Sequence, residues 1–209
     1  MIQCLCKQIK LKVQAKPMTD SSPKNILNVS NREQFRLWLS ENASTQQECW
    51  VELKRGKPKA DGSFYYIDAV EEALCFGWID STLKNINGRT LQRFSPRKKT
   101  GVWTELNKER VRRLERLGLM TDLGRAVLPN MSVRSFKMDS DLVAQLKQAR
   151  VFAKFKRFPP LYQRVKAYNI AFYKQRDRTA YERMTKKLIE QTKKGVMFGE
   201  WNDYGRLLE

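Results

Sequence analysis

The chain has 209 residues, 41% of them apolar, which suffices for one domain with a substantial core or for a core plus a helical appendage. It contains no histidine, and its four scattered cysteines, Cys4, Cys6, Cys49 and Cys75, are too few for a structural zinc site and too poorly placed for a disulfide framework. The formal net charge of +19 is uneven: residues 150–194 carry a surplus of +11, whereas 195–209 carry −2, so a basic surface is expected on the C-terminal half.

Residues 1–29 alternate lysine with Ile9, Leu11 and Val13 and contain no continuous apolar run, so they are expected to form a disordered extension rather than a secretory signal. Met18 offers an alternative natural start. No transmembrane span is expected, and unpaired thiols fit a reducing compartment, here the cytoplasm. Ser30-Asn-Arg-Glu33 has the form of a capping box that opens a helix with Phe35, Trp38 and Leu39 on one face. Cys49 to Lys54 alternates with period two, as a half-buried strand does. After a polar loop at 56–62, Ile67, Val70, Ala73 and Leu74 recur at helical spacing, and Gly77 is placed to end that helix in a left-handed cap. Asn87-Gly88 between two alternating stretches predicts a hairpin from Ile79 to Phe94. Three strands near 50, 80 and 92 then form a small sheet with two helices on one face.

Beyond Gly101 the chain turns helical. Thr104 can cap a helix with Val111, Leu114 and Leu117 inside, and Thr121 can cap another that stops before Pro129. Three more helices are expected at about 141–156, 160–174 and 179–194. The expected fold class is α+β: a small antiparallel sheet with flanking helices, followed by a helical C-terminal subdomain. The expected divisions are an extension at 1–29, a core at 30–129, a linker at 130–138, a basic helical subdomain at 139–195 and a tail at 196–209.

The segment Glu71 to Asp80, EEALCFGWID, places two glutamates, a thiol, a glycine, a tryptophan and an aspartate at a helix-to-strand junction. With Arg93-Phe94-x-Pro96-Arg97, then Trp103, Asn107 and the run Gly118 to Gly124, it resembles the YdeI/OmpD-associated family, also called bacteriocin-protection proteins. A looser element spans about Ile170 to Gly195, with Lys174 and Arg178-Thr179 at the matching places. The resemblance covers about residues 30–195 and implies an α+β fold and a role in stress resistance, without an established chemistry.

Glu71, Glu72, Asp80, Lys84, Arg93 and Arg97 can converge where the helix end meets the hairpin. They then form either a buried ion network or a pocket in which Glu72 or Asp80 transfers protons and an arginine holds an anion. Cys75 lies near a helix C-terminus, where the dipole disfavours a thiolate, so it is expected in the core. Arg93 to Lys99 puts four cations in seven residues, suited to phosphate, and Trp103 beside Arg97 could stack on a base or sugar. The expected ligand- or anion-binding residues are Arg93, Arg97, Lys98, Trp103 and Asn107. The expected polyanion surface comprises Lys174, Arg178, Arg183, Lys186, Lys187, Lys193 and Lys194. The partner is accordingly expected to be nucleic acid or another polyanion, or a small phosphorylated ligand, with no cofactor; the alternative is an enzyme acting on a small anion in the Glu/Asp/Arg pocket.

Overall fold

Cys49–Glu52 (β1), Trp78–Ile86 (β2) and Arg89–Pro96 (β3) form an antiparallel sheet in the order β1-β3-β2 in the computed structural model, which describes residues 23–208. The protein is α+β. The β2–β3 hairpin closes through Asn87 and Gly88, with φ of +51° and +80°; both central residues are left-handed, as a two-residue turn matching strand twist requires. One edge of the sheet is covered upstream: Leu27 N–H donates to Trp50 O at 2.9 Å and Trp50 N–H to Asn25 O at 3.0 Å, which satisfies edge groups that would otherwise recruit another strand. Residues 23–29 therefore belong to the folded unit, and the boundary expected near Ser30 is corrected. The expectations for Cys4, Cys6, Met18 and the rest of residues 1–22 fall outside the described residues.

Arg32–Asn42 (α1) and Tyr66–Cys75 (α2) pack on the sheet and bury Phe35, Leu39, Val70 and Leu74 with Cys49, Val51, Trp78 and Phe94. The cap of α1 is Asn31 rather than Ser30: its side chain accepts from Gln34 N–H at 2.9 Å, while Gln34 Oε1 takes Ser30 N–H at 2.8 Å. The reciprocal pattern is thus displaced by one residue from the expected box. After α2, Gly77 takes φ +74°, and a Cβ there would lie 2.8 Å from Leu123 O. That close neighbour belongs to Asp122–Arg125 (α4), which follows Glu105–Arg116 (α3). Gly124 approaches so closely that its Cβ would meet Cys75 O at 2.2 Å, and Thr121 Oγ1 donates to the same carbonyl at 2.7 Å. Thus the Gly118 to Gly124 run and the glycine of EEALCFGWID meet at the end of α2.

A second core joins Ser140–Gln148 (α5), Phe152–Phe155 (α6), Pro160–Tyr173 (α7) and Arg178–Lys194 (α8) around Leu142, Phe155, Tyr162, Val165, Tyr181 and Leu188. The single helix expected over 141–156 is broken, because Arg150 adopts φ +58° between α5 and α6. The expected linker also packs: Phe136 and Met138 lie against the second core, and Met131 O accepts from Arg112 at 2.9 and 3.1 Å. No helix among the described residues is long and apolar enough to cross a membrane.

Within the expected tail at 196–209, the described residues 196–208 form a structural clasp. Trp201 and Leu207 enter the second core, and buried Asp203 accepts from Arg110 Nε and Nη2 on α3 at 2.7 and 2.8 Å. Asp203 holds a left-handed φ of +50°, which is costly for a residue with a Cβ and persists because the paired charges hold it. Asp203→Ala would leave the Arg110 guanidinium buried without its partner, so thermal or urea unfolding should show a loss of about 3–5 kcal/mol; an unchanged midpoint would contradict this.

Candidate functional site

The two glutamates of EEALCFGWID turn away from the hairpin. Glu71 and Glu72 are fully buried on the face of α2 toward α1 and α3. Glu72 takes Arg32 Nε and Arg36 Nη1, while Glu71 takes Arg32 Nη1 at 2.8 Å, Arg113 Nη1 at 3.1 Å and Arg206 Nη1 at 3.3 Å. Asp68 adds an ion pair to Arg206 at 2.7 Å. Burial alone would lower the Arg32 pKa, but Glu72 and Glu71 outweigh it and raise it, so the guanidinium stays charged. Glu72 is thereby corrected as a proton-transfer candidate: its oxygens are occupied by arginines from α1, and it does not line the cleft described below.

The hairpin residues separate as well. Arg93 lies on β3 and is held by Glu48 at 2.7 Å and Ser81 at 3.2 Å, so it neither meets Arg97 nor faces the cleft, correcting its placement in the anion-binding set. Lys84 lies over the Trp50 ring at 5.5 Å. Cys75 is fully buried, and burial, with Glu72 nearby, pushes its thiol up to about 12. It is a core residue without thiolate character.

The remaining members converge in an open cleft of about 620 Å³ between the base of the hairpin and α3, lined by Tyr66, Asp80, Arg97, Lys98, Thr104, Asn107 and Arg110 among others. Asp80 begins the exposed side of β2 and accepts from the Tyr66 hydroxyl at 2.6 Å through Oδ2. Burial and the neighbouring Asp80 charge raise the Tyr66 phenol pKa, so it remains a donor. On the opposite wall, Thr104 caps α3 by accepting from Asn107 N–H at 3.1 Å, and Asn107 Oδ1 accepts from Arg110 Nη1 at 2.6 Å. Thr104, Asn107 and Arg110 follow at i, i+3 and i+6, one face of the helix. Tyr66, Thr104 and Arg110 were absent from the expected site, although that spacing downstream of Arg97 was a usable signal.

Arg97 is the unusual group. Only 8% of it is exposed, its Cζ lies 3.7 Å from the Trp103 ring centroid, and Nη1 donates to Val102 O at 2.9 Å. Its Nε is buried without a hydrogen-bond acceptor, and among the described residues no carboxylate lies within ion-pair distance. Desolvation lowers its pKa to about 10, with Asp80 and Tyr168 offsetting only part of the effect. It therefore remains a cation at neutral pH, with Asp80 across the cleft as a distant charge and, among the described residues, no carboxylate in direct contact. Trp103, placed here as a possible stacking platform for a ligand, instead lies in the core with its face taken by Arg97; its buried Nε1 also lacks an acceptor. Lys98 is exposed at the rim, in a turn tight enough that a Cβ on Gly101 would lie 2.9 Å from Lys98 O.

The C-terminal cations divide into two sets. Lys174 is engaged by Asp139 and Asp141 at 2.8 and 2.7 Å, and Arg178 by Glu182 at 2.7 Å, so these two carry little charge available to a polyanion. Arg183, Lys186, Lys187, Lys193 and Lys194 are exposed on α8, with no carboxylate within ion-pair distance among the described residues.

A family model described as a domain of unknown function, DUF8412, matches residues 27–127, a span that contains every cleft-lining residue. No curated protein and no solved structure matches the chain.

The two acidic sites should respond differently to substitution. Glu72→Ala leaves Arg32 and Arg36 facing an emptied buried site and should lose about 3–5 kcal/mol in chemical denaturation. Asp80→Asn, at a half-exposed position, should lose no more than about 1 kcal/mol. Equal losses from the two changes would contradict the assignment of Glu72 to the core and Asp80 to the cleft.

Proposed function

We propose that the protein binds a small phosphorylated or otherwise anionic ligand in the cleft between the hairpin and α3, with Arg97 as the anchoring cation. The observation that carries this reading is a buried guanidinium stacked on Trp103 with an unsatisfied Nε and, among the described residues, no carboxylate within ion-pair distance. Leaving such a group uncompensated opposes folding, so its retention favours a ligand that supplies the missing charge. The first turn of α3 contributes a favourable dipole on the facing wall, and Lys98 a second cation at the rim. Asp80 limits the negative charge the cleft accepts. Its Oδ1, which takes no hydrogen bond from the described residues, is suited to a ligand hydroxyl.

Kinship with the YdeI/OmpD-associated family, and with it a protective role under stress, forms part of the same proposal. It rests on the motif residues, of which Glu71, Glu72, Gly77 and Gly124 now have structural roles, while Asp80, Arg97 and Asn107 line the cleft.

Sulfate or inorganic phosphate at a hundredfold excess over Kd should raise the melting temperature by about 5–10 °C. Arg97→Met should abolish that shift. Because the folded state carries a cation whose pKa is lowered, the penalty is present below about pH 10 and lifts as the pH rises through that value. The ligand-free Arg97→Met variant should therefore melt no lower than the parent at neutral pH. Anion affinity should be level around neutrality and weaken above about pH 10. A variant that melts lower but keeps the anion shift would exclude Arg97 as the anchor.

A second reading is supported by the exposed cations of α8. Arg183, Lys186, Lys187, Lys193 and Lys194 form a patch suited to sequence-independent polyanion contact. Single-stranded oligonucleotide binding should weaken with salt at a log–log slope of about −0.7 per phosphate contacted. Charge reversal at Lys186 and Lys193 should flatten the slope, whereas reversal at the already paired Lys174 and Arg178 should change it less. No binding at low salt would exclude this role.

A further inference from the structure

Beside the Arg97 cleft lies a second, mostly apolar groove of about 360 Å³, formed by α7, the start of α8 and the cap of α3. Its lining is Thr104, Tyr168, Asn169, Phe172, Tyr173 and Met184, and Thr104 also lines the cleft. The two concavities therefore adjoin at the α3 cap. Tyr168 and Phe172 stand one helical turn apart, with ring centroids 6.5 Å apart and planes inclined by 34°, and Tyr173 meets Phe172 edge-on at 5.4 Å. Arg176 lies over Phe172 at 3.9 Å from the centroid and fixes that ring while adding a cation beside the groove. Asn169 is half-buried, and its side-chain amide makes no hydrogen bond to the described residues, so both a donor and an acceptor are available.

We infer that the ligand of the Arg97 cleft is a nucleoside phosphate, with its phosphate at Arg97 and Lys98 and its base in the Tyr168–Phe172 groove. This inference rests on the anion-binding reading of the cleft and adds the chemistry of the rest of the ligand. A buried cation without a direct ion pair among the described residues calls for phosphate, and flat aromatic walls call for a planar ring of comparable width. The Asn169 amide, without a hydrogen bond to the described residues, suits the edge of a base, and the free Asp80 oxygen in the cleft suits a sugar hydroxyl. Each concavity falls within the usual range for small-ligand sites, about 300–1,000 Å³. A simple anion would use the cleft and leave the groove empty. A purely apolar ligand would use the groove and leave Arg97 uncompensated.

Calorimetric titration of the full chain with AMP, ribose 5-phosphate and inorganic phosphate separates these cases. AMP should bind about tenfold or more tightly than ribose 5-phosphate, the contribution of one stacked base. Phe172→Leu and Tyr168→Leu retain apolar bulk but remove the ring faces. Either should bring AMP to the affinity of ribose 5-phosphate while leaving ribose 5-phosphate within about twofold of the parent. Equal binding of AMP and ribose 5-phosphate by the parent would overturn the nucleoside assignment and leave the anion site standing; this comparison does not depend on either variant folding. An AMP advantage that survives both leucine changes would also overturn it. Failure of all three compounds to bind would remove the anion-binding reading together with this one.

Discussion

Glu71 and Glu72 are the interaction on which the rest of the fold depends. Adjacent carboxylates on one turn of α2 repel each other and lose hydration when buried, so they require cations placed within hydrogen-bond reach. Those cations come from distant parts of the chain: Arg32 and Arg36 from α1, Arg113 from α3 and Arg206 from the C-terminal clasp. Satisfying two neighbouring acids thereby ties both helices and the chain end to α2. Such a network contributes less to net stability than its contacts suggest, because desolvation opposes the Coulombic gain. Its consequence is specificity of arrangement, since the buried carboxylates meet their arginines where these elements pack together.

Arg97 acquires its meaning by contrast with that network. Arg110, buried, and Arg32, half-buried, have carboxylate partners at hydrogen-bonding distance, whereas Arg97 has an aromatic face and one carbonyl. Cation–π stacking and a single neutral acceptor fall short of replacing the hydration lost by a guanidinium. The same α3 that supplies Arg113 to the network and Arg110 to the clasp also presents Thr104 and Asn107 to the cleft. The network thus holds in place the wall facing Arg97, so the shape of the cleft depends on buried ion pairs of α3 as well as on its own lining.

Much of this architecture was legible in the residues because its causes are local. Asn87-Gly88 specifies a left-handed two-residue turn, Thr104 caps a helix from its own side chain, and Cys75 is buried on an apolar face. Glu72 was misplaced because its partners lie 36 to 40 positions upstream, whereas the hairpin arginines are nearer in sequence; the orientation of α2 decides between them. The break at Arg150 carries no residue-type signal, since arginine has no preference for positive φ. The clasp at 196–209 was read as a tail because a short, acidic segment has no helical period, although Trp201 and Leu207 are the apolar residues that anchor it. Arg97, Lys98 and Asn107 were identified and do share a cleft, whereas Tyr66 and Arg110 enter only through packing of α2 against α3.

On this proposal the buried Arg97 guanidinium is completed by an anion from solution. Crystals grown without sulfate or phosphate and soaked in selenate would locate that anion through its anomalous signal. A selenate peak is expected within hydrogen-bond distance of Arg97, absent from crystals of Arg97→Met. Peaks confined to the lysines of α8, or an unoccupied Arg97 in accessible crystals, would contradict it.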